Sequence, residues 1–254
     1  MEQYLSHYGI LGQKWGIRRF QNPDGSLTPE GYKRYAERNI SKARAANLEK
    51  WGKTEENNVL YIAGYSGSGK STTAKGLAKP GDKIIHLDVY SEPNNDGHGS
   101  NLQSAEFNAY LNKHSPRWKE IANATRNGEN GSMKRYSKEY WDAVDSFANS
   151  IEGFSKEQFH KGDRVLVEGV QIADDWLHKD KSWYAGKSAV ILGTNPISSF
   201  ARASARDEKT IKSVQEAKEY IQWYVSGAKR LNDMADSAKA VRGKKIINEL
   251  LKTL

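Results

Sequence analysis

Short apolar runs recur along the chain, separated by polar stretches with helical spacing. Four of them have the length and composition of buried β-strands: VLYIAG at 59–64, KIIHLDVY at 83–90, DRVLVEGVQI at 163–172 and KSAVILGTN at 187–195. Apolar strands that alternate with helices are typical of a parallel sheet covered on both faces. The pattern therefore predicts an α/β fold in which helices flank a parallel sheet.

An amphipathic helix is predicted ahead of the first strand. Thr28 is suited to the N-cap position, and apolar side chains recur at helical spacing to about Lys50. The polar segment GKTEENN at 52–58 then links this helix to the first strand. We expect the chain to divide into an N-terminal unit, 1–54, and a larger domain, 55–254.

Further helices are expected between the second and third strands and after the fourth. Aromatic residues recur at helix-like spacing over 102–160, interrupted by the turn-forming segment NGENGS at 127–132. They predict a helical insertion of two or three helices at about 91–160. A long amphipathic helix is expected over 210–234, and GKKIINELLKTL at 243–254 is either a terminal helix or a tail.

Composition and charge exclude several classes of protein. Only 37% of the 254 residues are hydrophobic, and the mean hydropathy is −0.81. No apolar run approaches a membrane span and the N-terminus lacks the features of a secretory signal, so we expect no membrane association. The absence of cysteine excludes disulfides and thiolate metal sites. A net charge of +8 favours polyanionic partners such as nucleotides and nucleic acid.

The strongest chemical signal directly follows the first strand. GYSGSGKS at 64–71 fits G-x-x-x-x-G-K-[ST], in which backbone N–H groups and a helix N-terminus surround phosphate oxygens. The lysine would reach the β and γ phosphates, and the serine would bind Mg²⁺. The residues expected to bind nucleotide are Gly64, Ser66, Gly67, Ser68, Gly69, Lys70, Ser71 and Thr72.

Two acidic residues stand at the ends of predicted strands, where ligands bind in open α/β sheets. Asp88 follows the second strand and is suited to accept a proton from an acceptor hydroxyl, or to bind Mg²⁺ through water. Glu168 ends the third strand and is suited to contact Mg²⁺ or substrate. The metal site predicted from the sequence is therefore Ser71, Glu168 and Asp88.

Two arginines follow the fourth strand. Arg202 and Arg206 lie four residues apart, on one face of a predicted short helix. Planar guanidinium groups are suited to bind a transferring phosphoryl group. Solvated surface charge is the alternative, because Asp207 and Glu208 stand nearby as ion-pair partners.

Together these motifs resemble the P-loop small-molecule kinases, the group that holds uridine kinase, pantothenate kinase, adenylate kinase and zeta-toxin-like kinases. The resemblance rests on GYSGSGKS, on D-x-Y at 88–90, on V-E-G at 167–169 and on ARASARD at 201–207. It implies a nucleotide-kinase-like fold that uses ATP and Mg²⁺. It also implies that Asp88 is the catalytic base, that Glu168 assists with Mg²⁺ or substrate, and that Lys70, Arg202 and Arg206 stabilise the transferred phosphoryl group.

The resemblance covers about residues 58–235, but the insertion at 91–160 has no counterpart that aligns clearly. Kinases of this group bind their acceptor in that region. The acceptor therefore stays open among a nucleoside, a nucleotide, a sugar nucleotide and a nucleic-acid end. We expect the aromatic-rich insertion to form the acceptor pocket.

A second resemblance concerns the N-terminus. HYGILGQKWGIRRFQNPDGSLTPEGYKRY at 7–35 resembles a short segment that recurs in structural and head-associated proteins of tailed bacteriophages. It implies a phage-encoded protein in the bacterial host cytoplasm or on the virion, with residues 1–35 attached to a head or capsid protein. Aromatic residues interleaved with basic ones suit such an interface, and they also suit stacking on nucleic-acid bases.

Two functions are thus in view. The first is an ATP-dependent phosphotransferase that transfers the γ-phosphoryl to a hydroxyl. The second is a virion-associated or DNA-handling protein that binds or hydrolyses ATP without a small-molecule acceptor. The strand that ends in Glu168 and Gly169 lacks the paired acids of a packaging motor, which favours the phosphotransferase.

Overall fold

The strands form a single mostly parallel sheet. The structure is a computed structural model that describes residues 20–40, 43–91, 104–127, 133–134, 136–172, 186–193, 197–199, 201–202 and 213–237. Within these residues the strands are β1 (Arg44–Ala46), β2 (Val59–Ala63), β3 (Lys83–His86), β4 (Val165–Gly169) and β5 (Ser188–Ile191). Their order is β1-β5-β2-β4-β3, with β2 to β5 mutually parallel and β1 antiparallel to β5. The predicted fold class, α/β with a mostly parallel sheet flanked by helices, is confirmed.

Helices cover both faces of the sheet. They are α1 (Pro29–Ile40), α2 (Lys70–Leu77), α3 (Leu87–Ser91), α4 (Ala105–His114), α5 (Trp118–Asn127), α6 (Lys138–His160) and α7 (Val214–Ser237). The predicted long helix over 210–234 corresponds to α7, and the stretch 243–254 lies outside the described residues. No helix in the described part of the chain is long and apolar enough to cross a membrane.

The alternation of side chains along β2 explains the two layers. Leu60 and Ile62 belong to a hydrophobic cluster with residues of α1 and α2, whereas Tyr61 and Ala63 belong to a cluster with the insertion helices and α7. All five residues of the strand are buried. An apolar strand of this kind requires cover on both sides, which is why its sequence has no polar alternation.

The N-terminal helix is shorter than its sequence pattern indicates. Thr28 caps it as predicted, accepting a hydrogen bond from Gly31 N at 3.1 Å, but the helix ends at Ile40 instead of about Lys50. The chain then forms β1, which pairs with β5 through Arg44 and the two alanines that follow it. Pairing with a sheet edge outweighs the helix preference of this alanine-containing segment.

The described part of the predicted unit 1–54 shares a core with the domain that follows. Ala36, Ile40, Leu48 and Trp51 are buried in the same cluster as Leu60 of β2. Residues 1–19, which include the first part of the segment resembling phage proteins, lie outside the described residues. Attachment through that segment stays a prediction.

Two strands end earlier than predicted, and both ends lie next to residues of the candidate site. The apolar run 83–90 is a strand only to His86, after which α3 begins. The run 163–172 is a strand only to Gly169, and a single 3₁₀ turn, Val170–Ile172, follows. Apolar residues continue past both strand ends because these turns also pack into the core, so hydrophobicity alone did not mark the boundary.

The insertion contains three described helices, α4 to α6, in agreement with the prediction. The expectation that this insertion forms the acceptor pocket stays a prediction, but several of its aromatic side chains belong to the core. Those that are almost completely buried pack against one another and against Tyr90 as core: Phe107, Trp118, Tyr140, Phe147 and Phe154. Large apolar rings stabilise the insertion because folding removes them from water. The periodicity of the sequence does not distinguish aromatic residues of a core from aromatic residues that line a pocket.

Candidate phosphate-binding site

The turn between β2 and α2 is the centre of the site. It runs from Gly64 to Gly69 and delivers Lys70 as the first residue of α2. Gly69 has φ = +90°, and a Cβ there would lie 2.8 Å from Asn39 Nδ2. A Cβ on Gly64 would lie 2.5 Å from Ser68 Oγ. Gly69 requires glycine for its backbone conformation, whereas at Gly64 a side chain would crowd Ser68 and Leu192.

A cavity of about 380 Å³ opens over this turn and the N-terminus of α2. Residues 66–72 line it, which brings together all but Gly64 of the residues predicted to bind nucleotide. Asp88 and Arg202 line the same cavity from α3 and from the segment after β5. The position at the carboxyl ends of parallel strands is the usual ligand site of such a sheet.

Lys70 is held against the turn that precedes it. Its side chain is buried, and Nζ donates a hydrogen bond to the carbonyl of Tyr65 at 3.3 Å. The Tyr65 ring is itself buried and lies edge-on to Trp223 of α7, with ring centroids 4.9 Å apart. The lysine is therefore positioned before any anion binds, by a loop that α7 supports.

Ser71 and Glu168 meet at the base of the site. Ser71 Oγ donates a hydrogen bond of 2.9 Å to Glu168 Oε1. The contact depends on the strand order, because β4 lies next to β2 and its end therefore faces the start of α2. Two of the three predicted metal ligands are thus brought together.

His86 contacts the same carboxylate. Its Nδ1 lies 2.5 Å from Glu168 Oε1, and the two residues are direct neighbours in the register of β3 and β4. Both side chains are buried. Burial acts to raise the pKa of Glu168, but the hydrogen bond from His86 and the charge of Lys70 outweigh it and hold this pKa below its ordinary value. Glu168 is accordingly an anion at neutral pH.

These residues fit a hard divalent cation such as Mg²⁺. The second carboxylate oxygen of Glu168, Oε2, is buried and has no hydrogen-bond partner among the described residues. A hydroxyl and a carboxylate beside a phosphate site are the oxygen ligands that Mg²⁺ prefers, with phosphate and water completing the shell. Within the described part of the chain no three His, Cys, Asp or Glu side chains cluster to hold a metal by themselves. Ser71 and Glu168 would therefore hold the ion together with bound phosphate.

Asp88 is held by a residue that the sequence analysis did not select. Gln171 Nε2 donates a hydrogen bond of 2.8 Å to Asp88 Oδ1. Gly169 makes this approach possible, since a Cβ there would lie 2.4 Å from Gln171 Oε1 and 2.8 Å from Leu87 Cβ. The glycine of the V-E-G motif thus leaves room for α3 and for the side chain that orients Asp88.

The two predicted arginines differ in what the structure shows of them. Arg202 is exposed and lines the same cavity as the turn. Arg206 lies outside the described residues, so its role stays a prediction. Arg202 alone already adds a guanidinium to the cation of Lys70 in this cavity.

Sequence reasoning also missed residues that only the tertiary structure brings to the site. His86 is a polar residue in an apolar run, but its contact with Glu168 depends on the order of the strands, which the sequence does not show. Gln171 carried no signal beyond its closeness to Glu168. Tyr35, Arg38 and Asn39 of α1 line the cavity as well, and their position depends entirely on the packing of α1 on α2.

Comparison with known proteins adds nothing to this site. No protein-family model, curated protein or solved structure matches the chain.

Proposed function

We propose that the protein is an ATP-dependent phosphotransferase with a nucleotide-kinase-like P-loop fold. One observation carries the proposal: a single cavity joins the phosphate-binding turn, the carboxylate of Asp88 and the guanidinium of Arg202. A protein that only binds nucleotide needs the first of these. A carboxylate in the same cavity as a phosphate-binding lysine is repulsive to the nucleotide, and it is useful when it receives a proton during transfer.

The steps follow from the side chains. Asp88 accepts the proton of an acceptor hydroxyl, and the oxygen forms a bond to the γ-phosphorus of ATP. The bond from that phosphorus to the β,γ-bridging oxygen breaks, and ADP leaves with the bonding electron pair. Lys70 and Arg202 stabilise the negative charge on the phosphoryl oxygens during transfer.

The remaining residues position these groups. Gln171 holds Asp88 in place, and Ser71 with Glu168 would hold Mg²⁺. A bound Mg²⁺ neutralises charge on the β and γ phosphates. His86 keeps the carboxylate of Glu168 in one orientation by occupying its Oε1.

Transfer of label from ATP tests the proposal. The purified protein is incubated with ATP labelled at the γ-phosphoryl and with pools of nucleosides, nucleotides, sugar nucleotides, RNA and DNA. We expect label in one acceptor pool, and its loss in Lys70→Ala and Asp88→Asn. Lys75→Ala and Asp236→Asn are matched controls, because neither residue lines the cavity or belongs to the insertion.

The opposite result identifies the second function. Slow release of inorganic phosphate that needs no acceptor and does not change in Asp88→Asn would refute phosphotransfer. It would instead support an ATP-binding or ATP-hydrolysing protein associated with a phage particle.

A further inference from the structure

The N-terminal helix forms one wall of the phosphate cavity. α1 packs closely against α2 at Gly76, where a Cβ would lie 2.4 Å from the carbonyl oxygen of Tyr32 and 2.5 Å from Ala36 Cβ. This close packing brings the last turn of α1 alongside the first turn of α2. Tyr35, Arg38 and Asn39 reach the cavity as a result.

Asn39 fixes the end of α1 to the phosphate-binding turn. Its Nδ2 donates a hydrogen bond of 3.0 Å to Thr73 Oγ1, and the same nitrogen lies against Gly69. Thr73 Oγ1 in turn donates to the Gly69 carbonyl at 2.8 Å. The helix end is therefore tied to the residue that immediately precedes Lys70.

Arg38 presents a cation beside this anchor. Its guanidinium carbon lies 4.5 Å from the centroid of the Tyr35 ring. Stacking on the ring limits the rotamers of a long side chain, so less entropy is lost when the guanidinium binds a ligand. Among the described residues, the charged side chains that line the cavity are Lys70, Arg202 and Arg38, together with the carboxylate of Asp88.

We propose that Arg38 binds the phosphate chain of the nucleotide, with Tyr35 and Asn39 as its positioning residues. The excess of cations suits a polyphosphate, and a planar guanidinium can bind two phosphate oxygens at once. The proposal rests on the proposed function, since it takes the cavity to be a nucleotide site. It makes α1 a part of that site, although the sequence placed this helix in a separate attachment unit.

Equilibrium binding of MgATP and of inorganic tripolyphosphate to the full chain tests the role of Arg38. We expect Arg38→Ala to raise the dissociation constant of both about tenfold, the loss typical of a hydrogen bond to a charged group. Arg38→Lys should recover part of the affinity, because it keeps the charge and loses the planar fork.

Arg34→Ala is the matched control. Arg34 lies one turn earlier on α1, pairs with Glu30 at 2.8 Å and has its guanidinium over the Phe20 ring, but it does not line the cavity. It should leave binding unchanged. Equal thermal unfolding midpoints for the two alanine variants exclude misfolding as the cause of any loss.

The outcomes distinguish a failure of the role of Arg38 from a failure of the proposed function. If Lys70→Ala abolishes MgATP binding but Arg38→Ala behaves like Arg34→Ala, the site stands and the role of Arg38 is refuted. If Arg38→Ala weakens MgATP but not tripolyphosphate, the phosphate assignment is refuted. If the wild-type chain binds neither ligand, the proposed function fails and the role of Arg38 with it.

Discussion

Gly227 provides a test of how α7 supports the phosphate-binding turn. It lies on the buried face of α7, and a Cβ there would come within 2.0, 2.2 and 2.3 Å of three carbons of the Tyr65 ring. That ring is only 1% exposed and is enclosed by Trp223 and Tyr224. The substitution Gly227→Ala therefore forces either the ring or the helix to move.

Two opposing effects set the magnitude. Alanine in a helix interior is normally about 1 kcal/mol more favourable than glycine. Insertion of a methyl group into a well-packed core costs about 1–3 kcal/mol, and contact with three ring carbons places this case at about 2–3 kcal/mol. The net loss in the free energy of unfolding is then about 1–2 kcal/mol.

Urea unfolding followed by circular dichroism measures this loss. With a slope of about 2–3 kcal/mol per molar urea, the midpoint should fall by about 0.3–1 M. Ser226→Ala is the control, because Ser226 is the exposed neighbour on the same helix and gains helix propensity without a clash. Nucleotide affinity should also fall in Gly227→Ala, since Lys70 donates its hydrogen bond to the backbone of Tyr65.

A double-mutant cycle gives the refuting result. In a Tyr65→Ala background the ring is absent, so Gly227→Ala should be neutral or stabilising by up to about 1 kcal/mol. If Gly227→Ala has the same effect in both backgrounds, the two residues are not coupled. The packing of α7 on the turn would then be refuted.

Three further predictions concern buried charge and positioning. Glu168→Gln should lower the free energy of unfolding most at neutral pH, measured in metal-free buffer. The pKa of Glu168 in the folded chain is lowered from 4.5, so the carboxylate stabilises the fold above that pH and this contribution is lost as the pH falls below it. A difference between variant and wild type that is constant across the acid range would contradict this. Arg164→Ala should lower the free energy of unfolding by about 2–4 kcal/mol, because it leaves the buried carboxylate of Asp82, 2.6 Å from Arg164 Nη2, without its charge partner. In urea unfolding, the double variant that also carries Asp82→Asn should recover part of this loss. Gln171→Ala should lower kcat about ten- to a hundredfold with little change in KM for ATP, because it misplaces Asp88 and not the nucleotide. A change confined to KM in steady-state assays would contradict this role.

The sequence predicted the parts of the site that are local. The turn from Gly64 to Lys70 is specified by neighbouring residues, so its glycines, its lysine and its place after a buried strand could be identified together. The α/β class followed in the same way from the spacing of apolar runs. Local chemistry of this kind does not depend on how the rest of the chain packs.

Contacts between strands could not be predicted in this way. The meeting of Ser71, His86 and Glu168 requires β4 to lie between β2 and β3, an order that no short stretch of sequence encodes. The same order explains why Glu168 could be selected as a candidate but its partner His86 could not. Strand boundaries failed for a related reason, since α3 is as apolar as the strand before it.

The N-terminal helix α1 could be predicted only in part from the sequence. Its start at Thr28 was predictable, whereas its end at Ile40 and its position on α2 follow from the sheet edge that β1 covers. If residues 1–19 bind a partner and this binding shifts α1, the wall of the phosphate cavity shifts with it, and affinity for nucleotide changes. Linkage then requires nucleotide to change the affinity for that partner by the same factor. The attachment unit and the phosphate site would then be coupled, and the affinity of Lys70→Ala for the partner would show no dependence on nucleotide, because this variant is expected not to bind MgATP.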